Sequence, residues 1–131
     1  MTKLFLDYDK AGLDAQYNLR AAVPDAVDCL AECARRSAVV RATRPVTLDV
    51  PFGPKHGERV NLYPAPKAGA PVLVFIHGGY WQRLDKNDFD YVVEPFAAAG
   101  AAVVNVNYTL APAAAMDEIV RQARAAVAWA W

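Results

Sequence analysis

Serine is nearly absent: the 131 residues contain one, Ser37. Glycine and cysteine are also sparse, with seven glycines and two cysteines, and neither charge is in excess, since fourteen basic residues meet fourteen acidic ones. Each shortage excludes something. Without a basic run there is no electrostatic footprint for nucleic acid or an anionic membrane. No stretch approaches the roughly eighteen apolar residues that cross a bilayer, and the segment from Met1 to Lys10 carries two aspartates and two lysines where a signal peptide has an apolar core. Cys29 and Cys33 stand four apart in a helical pattern, a spacing that rarely allows a disulfide. Free thiols and a cytoplasmic location are therefore expected. His56 stands in a turn-rich loop, and no cluster of ligands suggests a metal site. A chain this long can still bury a core, so one domain is expected.

What is present is ordered. Pro24, at a first-turn position, opens a helix expected to run to about Ala42. Its apolar face is Val27, Leu30, Ala31, Ala34 and Ala38. After Pro45 the period changes: Val46–Val50 and Arg59–Tyr63 alternate around a loop of turn formers, predicting an antiparallel hairpin. Val72-Leu73-Val74-Phe75-Ile76 is apolar throughout, as a central parallel strand covered on both faces requires. Phe89, Val92, Val93 and Phe96 recur at helical spacing, with Pro95 as a possible kink and Gly100 as a stop. Ala101–Val106 predicts a second buried strand. This βαβ order gives an α/β class, with residues 1–44 a helical lead-in and 45–131 the sheet with its flanking helices. A last helix presents Met116, Ile119, Val120, Ala123 and Val127 on one face, and no stop signal follows it.

His77-Gly78-Gly79-Tyr80-Trp81 follows the first buried strand directly. Two glycines permit a sharp turn, and successive amides in such a turn suit an oxygen that gains negative charge when a carbonyl is attacked. Gly79 and Tyr80, helped by Gly78, are the expected oxyanion-hole residues. Tyr80 and Trp81 are candidates to line an acyl pocket, and His77 is expected to brace the loop through its ring without acid–base work. A phosphate loop is excluded, because the motif lacks both Lys-Ser/Thr and G-x-G-x-x-G.

The Val74–Trp81 stretch resembles the H-G-G-x-W box of bacterial arylformamidase-like esterases of the α/β-hydrolase superfamily, relatives of kynurenine formamidase. Tyr17–Asp25 resembles the N-terminal segment of that group, and Val106-Asn107-Tyr108-Thr109-Leu110-Ala111-Pro112 the segment after its next strand. Ala113 departs from the acidic residue many relatives carry. The resemblance implies the N-terminal half of an α/β-hydrolase fold, with strands in the order 1-2-4-3 and an incomplete sheet. It implies hydrolysis of carboxylic esters or N-formyl-aryl amides by a serine nucleophile, without cofactor or metal. That nucleophile needs a G-x-S-x-G turn, followed by an acid and a histidine. Ser37, inside the first long helix with no glycine beside it, is expected to be structural or solvent-facing. Each cysteine stands beside a carboxylate, which discourages a thiolate. No catalytic residue is therefore expected here, and the open edge of Val72–Ile76 is expected to need a missing C-terminal half or another chain. The alternative expectation is an inactive fragment or binding module that docks through that edge.

Overall fold

A computed structural model describes residues 2–131, the side chains of residues 19 and 20 excepted. Met1, where the N-terminal segment opens, lies outside the described residues. Two compact units divide the chain, residues 1–32 and 33–131. In the first, α1 (Lys10–Tyr17) starts at Asp9, whose carboxylate accepts the Gly12 amide at 2.8 Å, one of the donors that a helix start leaves without an intrahelical partner. The short helix α2 (Leu19–Ala22) follows, and α3 (Ala26–Thr43) begins here.

The second unit is an open mixed sheet with helices on both faces, the expected α/β class. Its strands are β1 (Thr47–Pro51), β2 (Arg59–Tyr63), β3 (Val72–Ile76) and β4 (Ala102–Val106), in the spatial order β1-β2-β4-β3. β1 and β2 form the predicted hairpin, with an irregularity between Thr47 and Val50, and β2 pairs antiparallel with β4. β3 runs parallel to β4, Val72 opposite Ala102 and Ile76 opposite Val106. Side chains alternate between the faces. Tyr63, Leu73 and Val103 pack with Val40 of α3 and with Val93 and Ala97 of α4 (Val93–Ala98). Val60, Val74, Val104 and Val106 pack on the other side with Ala126 of α5 (Met116–Ala130).

Four expectations need correction. β3 is parallel and lies at the edge, as the expected order 1-2-4-3 requires, but it is not covered on both faces as its apolar run implied: Val72 and Ile76 are 51% and 40% exposed. That exposure goes with a strand that has no neighbour on one side among the described residues. Second, the stretch expected as one helix over Phe89–Phe96 is a 3-10 turn, Asp90–Val92, running into α4, and another 3-10 turn, Lys86–Asp88, precedes it. Pro95 does not kink α4, because it falls in the first turn, where a backbone N–H has no intrahelical partner anyway.

Third, the buried positions of α3 are Ser37 and Val40, while Val27 is 66% exposed. The inward stripe from Cys33 onward is rotated toward polar residues because it meets a polar cluster. Arg41 donates to Asp90 at 2.6 Å, Arg44 to Glu94 at 2.6 Å, and Ser37 Oγ accepts the Tyr91 amide at 3.1 Å. Ser37 is fully buried, so its role is structural and the solvent-facing alternative falls. Fourth, α5 buries Ile119, Gln122 and Ala126, leaving Met116, Val120 and Val127 about half exposed.

Carboxylates on the hairpin and the helices make this packing pH-dependent. Burial raises the Glu58 carboxyl, but the Lys55 amide at 2.8 Å and the Arg121 guanidinium at 2.6 Å together outweigh it, and the net shift is downward. Glu94 is lowered by its hydrogen bond from Arg44, and Glu118 by hydrogen bonds from Arg121, Gln122 and Lys55. Folded carboxyls that titrate below their unfolded values bind fewer protons than the unfolded chain, so stability rises with pH. The contribution is complete above the ordinary value of 4.5 and is lost as pH falls through the lower folded values. Glu94 is 42% exposed, and its pair with Arg44 is a weak surface bridge. Glu58, fully buried, and Glu118, held by three donors, therefore carry most of the effect. Urea midpoints should fall between pH 5.5 and pH 3, and Glu58→Gln should shrink that fall. An unchanged drop in the variant would remove Glu58 from the account.

Candidate functional site: the loop after the parallel edge strand

The sequence ordains a bend after Ile76, where the apolar run ends and two glycines begin. His77 is 3% exposed, its ring stacked on Tyr108 at 4.5 Å between centroids and on Phe89 at 5.7 Å. The Tyr108 hydroxyl donates to the His77 carbonyl at 2.9 Å. Nε2 of His77 lies 3.0 Å from Asn107 Oδ1 and Nδ1 lies 2.8 Å from the Gly78 carbonyl. The strand end is thus clamped from the β4 side.

Of the two glycines, Gly79 alone has a positive φ, +128°. A Cβ there would sit 2.2 Å from the Arg83 carbonyl oxygen, whereas one at Gly78 would meet nothing within 4 Å. The motif's glycine requirement therefore falls on Gly79. The Gly79 carbonyl accepts from the Gln82 and Arg83 amides, both at 3.1 Å, with Tyr80 and Trp81 between them at φ of 52° and 57°. Two successive left-handed residues inside an i to i+3 hydrogen bond make a mirror-image turn that side chains ordinarily avoid, at about 1–3 kcal/mol each. The Trp81 carbonyl accepts the Ala111 amide at 2.7 Å, tying the far end of the turn to the segment after β4.

This strained turn leaves its own donors unused. Among the described residues the amides of Gly78, Gly79, Tyr80 and Trp81 reach no protein acceptor. His77, Gly78, Gly79, Tyr80, Trp81 and Tyr108 line one concavity of about 280 Å³, with Tyr80 and Trp81 58% and 49% exposed. All the residues expected at the site are brought together here. A larger apolar groove, about 670 Å³, runs beside the β3 edge between Ile76 and Ala123, Val127 and Trp131 of α5 and its end.

The sequence reading missed the polar residues that hold the loop. Asn107 Nδ2 donates to Asp85 at 2.8 Å, and Asp85 also caps the first 3-10 turn by accepting the Asn87 amide at 2.9 Å. Deeper in, Asp90 is fully buried and accepts from Arg41, Asn61 and Asn105. A signal existed in Asn105 and Asn107, two amides within and just beyond an otherwise apolar strand. His56 is exposed in the hairpin loop, apart from the concavity's lining. Cys29 and Cys33 form no disulfide. Among the described residues no group of three or more histidines, cysteines or carboxylates could hold a metal ion, and no helix is long and apolar enough to cross a membrane.

Comparison with known proteins places this geometry. The BD-FAE family model matches residues 60–131, from β2 through α5. Kynurenine formamidase of Danio rerio is 36% identical over 89 residues, which are 66% of this chain and 30% of that protein. A Silicibacter sp. protein described as a thioesterase superposes with a TM-score of 0.81 at 29% identity, over 90% of this chain and 46% of that one. Esterase LipW of Mycobacterium marinum superposes with a TM-score of 0.60 at 25% identity, over 78% of this chain and 34% of that one. The chain thus spans less than half the length of each. The match covers more than half of its residues, and the chain belongs to the BD-FAE family, with the α/β-hydrolase fold.

Proposed function

We propose that this chain supplies the oxyanion-binding half of a serine hydrolase that cleaves carboxylic esters or N-formyl-aryl amides, with the nucleophile and its partners carried outside these 131 residues. The reading is supported by two observations: the amides of Gly78–Trp81 reach no protein acceptor among the described residues, and these residues line a concavity beyond the carboxyl end of β3. Open α/β sheets bind ligands at that end. When serine attacks a carbonyl, the oxygen becomes an anion, and each fixed donor aimed at it contributes on the order of 3 kcal/mol. Gly79 and Tyr80 are assigned as those donors, with Gly78 assisting. The exposed rings of Tyr80 and Trp81 are assigned to the acyl or aryl group, a choice supported by the kynurenine formamidase relatives. His77 braces the loop. No cofactor is needed for this chemistry. Two cysteines in no disulfide favour the cytoplasm.

The test is labelling with an aryl phosphonate. The complete gene product should take up one equivalent at a serine outside residues 1–131 and should hydrolyse p-nitrophenyl acetate and N-formylaniline. Modification of Ser37, or no hydrolysis by any polypeptide containing this chain, would contradict the proposal.

A second reading, in which the chain docks on another polypeptide, is favoured by the exposed β3 edge and the apolar groove beside it. A partner would add a strand to β3, covering an edge that has neither charge nor proline. In the isolated chain that edge should drive self-association. Val72→Lys, a charge at the most exposed edge position, should then shift sedimentation toward monomer, and identical sedimentation of the two proteins would remove the edge as the cause.

A further inference from the structure

Three segments meet behind the amide-bearing loop: the end of β3 at His77, the residue after β4 at Asn107, and the cap of the first 3-10 turn at Asp85. An ionised carboxylate accepts hydrogen bonds and donates none. Asp85 Oδ2 therefore fixes which way the Asn107 amide points, its nitrogen toward Asp85 at 2.8 Å. Oδ1 of Asn107 must then face His77 Nε2, at 3.0 Å, and that nitrogen must be the donor. On the ring's other side, Nδ1 faces the Gly78 carbonyl at 2.8 Å, which also only accepts. A neutral ring carries one proton, so the two acceptors compete for it, and the ring is buried and stacked on Tyr108 and Phe89.

We propose that Asp85 is a positioning residue that, acting through Asn107, fixes a proton on Nε2 of His77 and so holds the strand end from which the Gly78–Trp81 loop departs. The role of that loop rests on the function proposed above; the proton assignment does not. Asp85 decides the competition because without its carboxylate the Asn107 amide is free to turn over. A turned amide presents Nδ2 to Nε2, which then accepts, and the proton moves to Nδ1 and the Gly78 carbonyl. The carboxylate thus sets the hydrogen bonding on both sides of the ring, one of which ends on the loop itself.

The experiment is nitrogen NMR of the 131-residue chain with labelled histidine rings, at about pH 8, above the ordinary imidazole range. A His56→Gln variant identifies the His77 signals. In the parent chain Nε2 should carry a proton. Asp85→Ser keeps a side-chain cap for the Asn87 amide but is too short to reach Asn107, and Nε2 should lose its proton. Adding Asn107→Asp to Asp85→Ser places an acceptor-only group beside the ring, and the proton should return to Nε2. An unprotonated Nε2 in the parent, or a protonated Nε2 in Asp85→Ser, would overturn the proposal. The amide spectrum of each variant shows whether it is folded. No hydrolysis enters this readout, so failure to find esterase activity would count against the proposed function and leave the relay untouched.

Discussion

Gly79→Ala is expected to cost the folded chain about 3 kcal/mol or more, while Gly78→Ala, one residue earlier, should leave stability within about 0.5 kcal/mol. The contrast follows from the backbone. At Gly79 a Cβ must occupy space 2.2 Å from the Arg83 carbonyl, at a φ of +128° that L-residues rarely adopt. The obstacle is backbone, not the end of a flexible side chain, so the turn closed by Gln82 and Arg83 on the Gly79 carbonyl has to open. At Gly78 the added methyl meets open space. Urea denaturation of the two variants measures the difference. Equal stability would mean that the turn is not held as described. The effect on turnover follows the same geometry: in a hydrolytically active form, a displaced loop loses oxyanion donors, and kcat should fall by about 100- to 1000-fold. Valine at position 79 would not separate chemistry from folding, because any side chain there disturbs both.

Removal of Asp90 should be at least as damaging, although this residue lies in the core. Its carboxylate is fully buried and accepts from Arg41 at 2.6 Å, Asn105 at 2.7 Å and Asn61 at 3.2 Å. Asn61 and Asn105 are register partners on β2 and β4, so Asp90 cross-links the middle of the sheet to α3. Asp90→Ala deprives a partly buried guanidinium of its counter-charge and leaves Arg41, Asn61 and Asn105 with only their second acceptors, on Asn87 and Lys86. Breaking a buried pair in this way costs about 3–5 kcal/mol. For a unit of this size the melting temperature should fall by about 10–20 °C. Arg44→Ala, which removes a bridge exposed on both sides, should cost about 1 kcal/mol or less. Calorimetry of the two variants distinguishes them, and a similar loss in both would deny Asp90 its central place.

The elements that could be read from the sequence are those set by local pattern. The β2 and β3 bounds, the hairpin and the strand order all follow from periodicity, turn residues and family resemblance. The helix faces did not follow, and the reason is physical. From Cys33 onward the residues of α3 that turn inward include Ser37 and Arg41, followed by Arg44 just past its end, because Tyr91, Asp90 and Glu94 wait there as partners. A hydrophobic pattern cannot see a polar pairing between residues about fifty positions apart. The same limit hid Asp85 and Asn107. The glycines of the loop looked equivalent, and the positive φ of Gly79 and the position of the Arg83 carbonyl separate them.

The amides after β3 should point at the carbonyl oxygen as it becomes an anion. A crystal structure of the complete gene product carrying an aryl phosphonate on its serine tests this directly. The phosphoryl oxygen should lie about 2.7–3.1 Å from the Gly79 and Tyr80 nitrogens. A phosphoryl oxygen held by other donors, with these amides turned away, would contradict it.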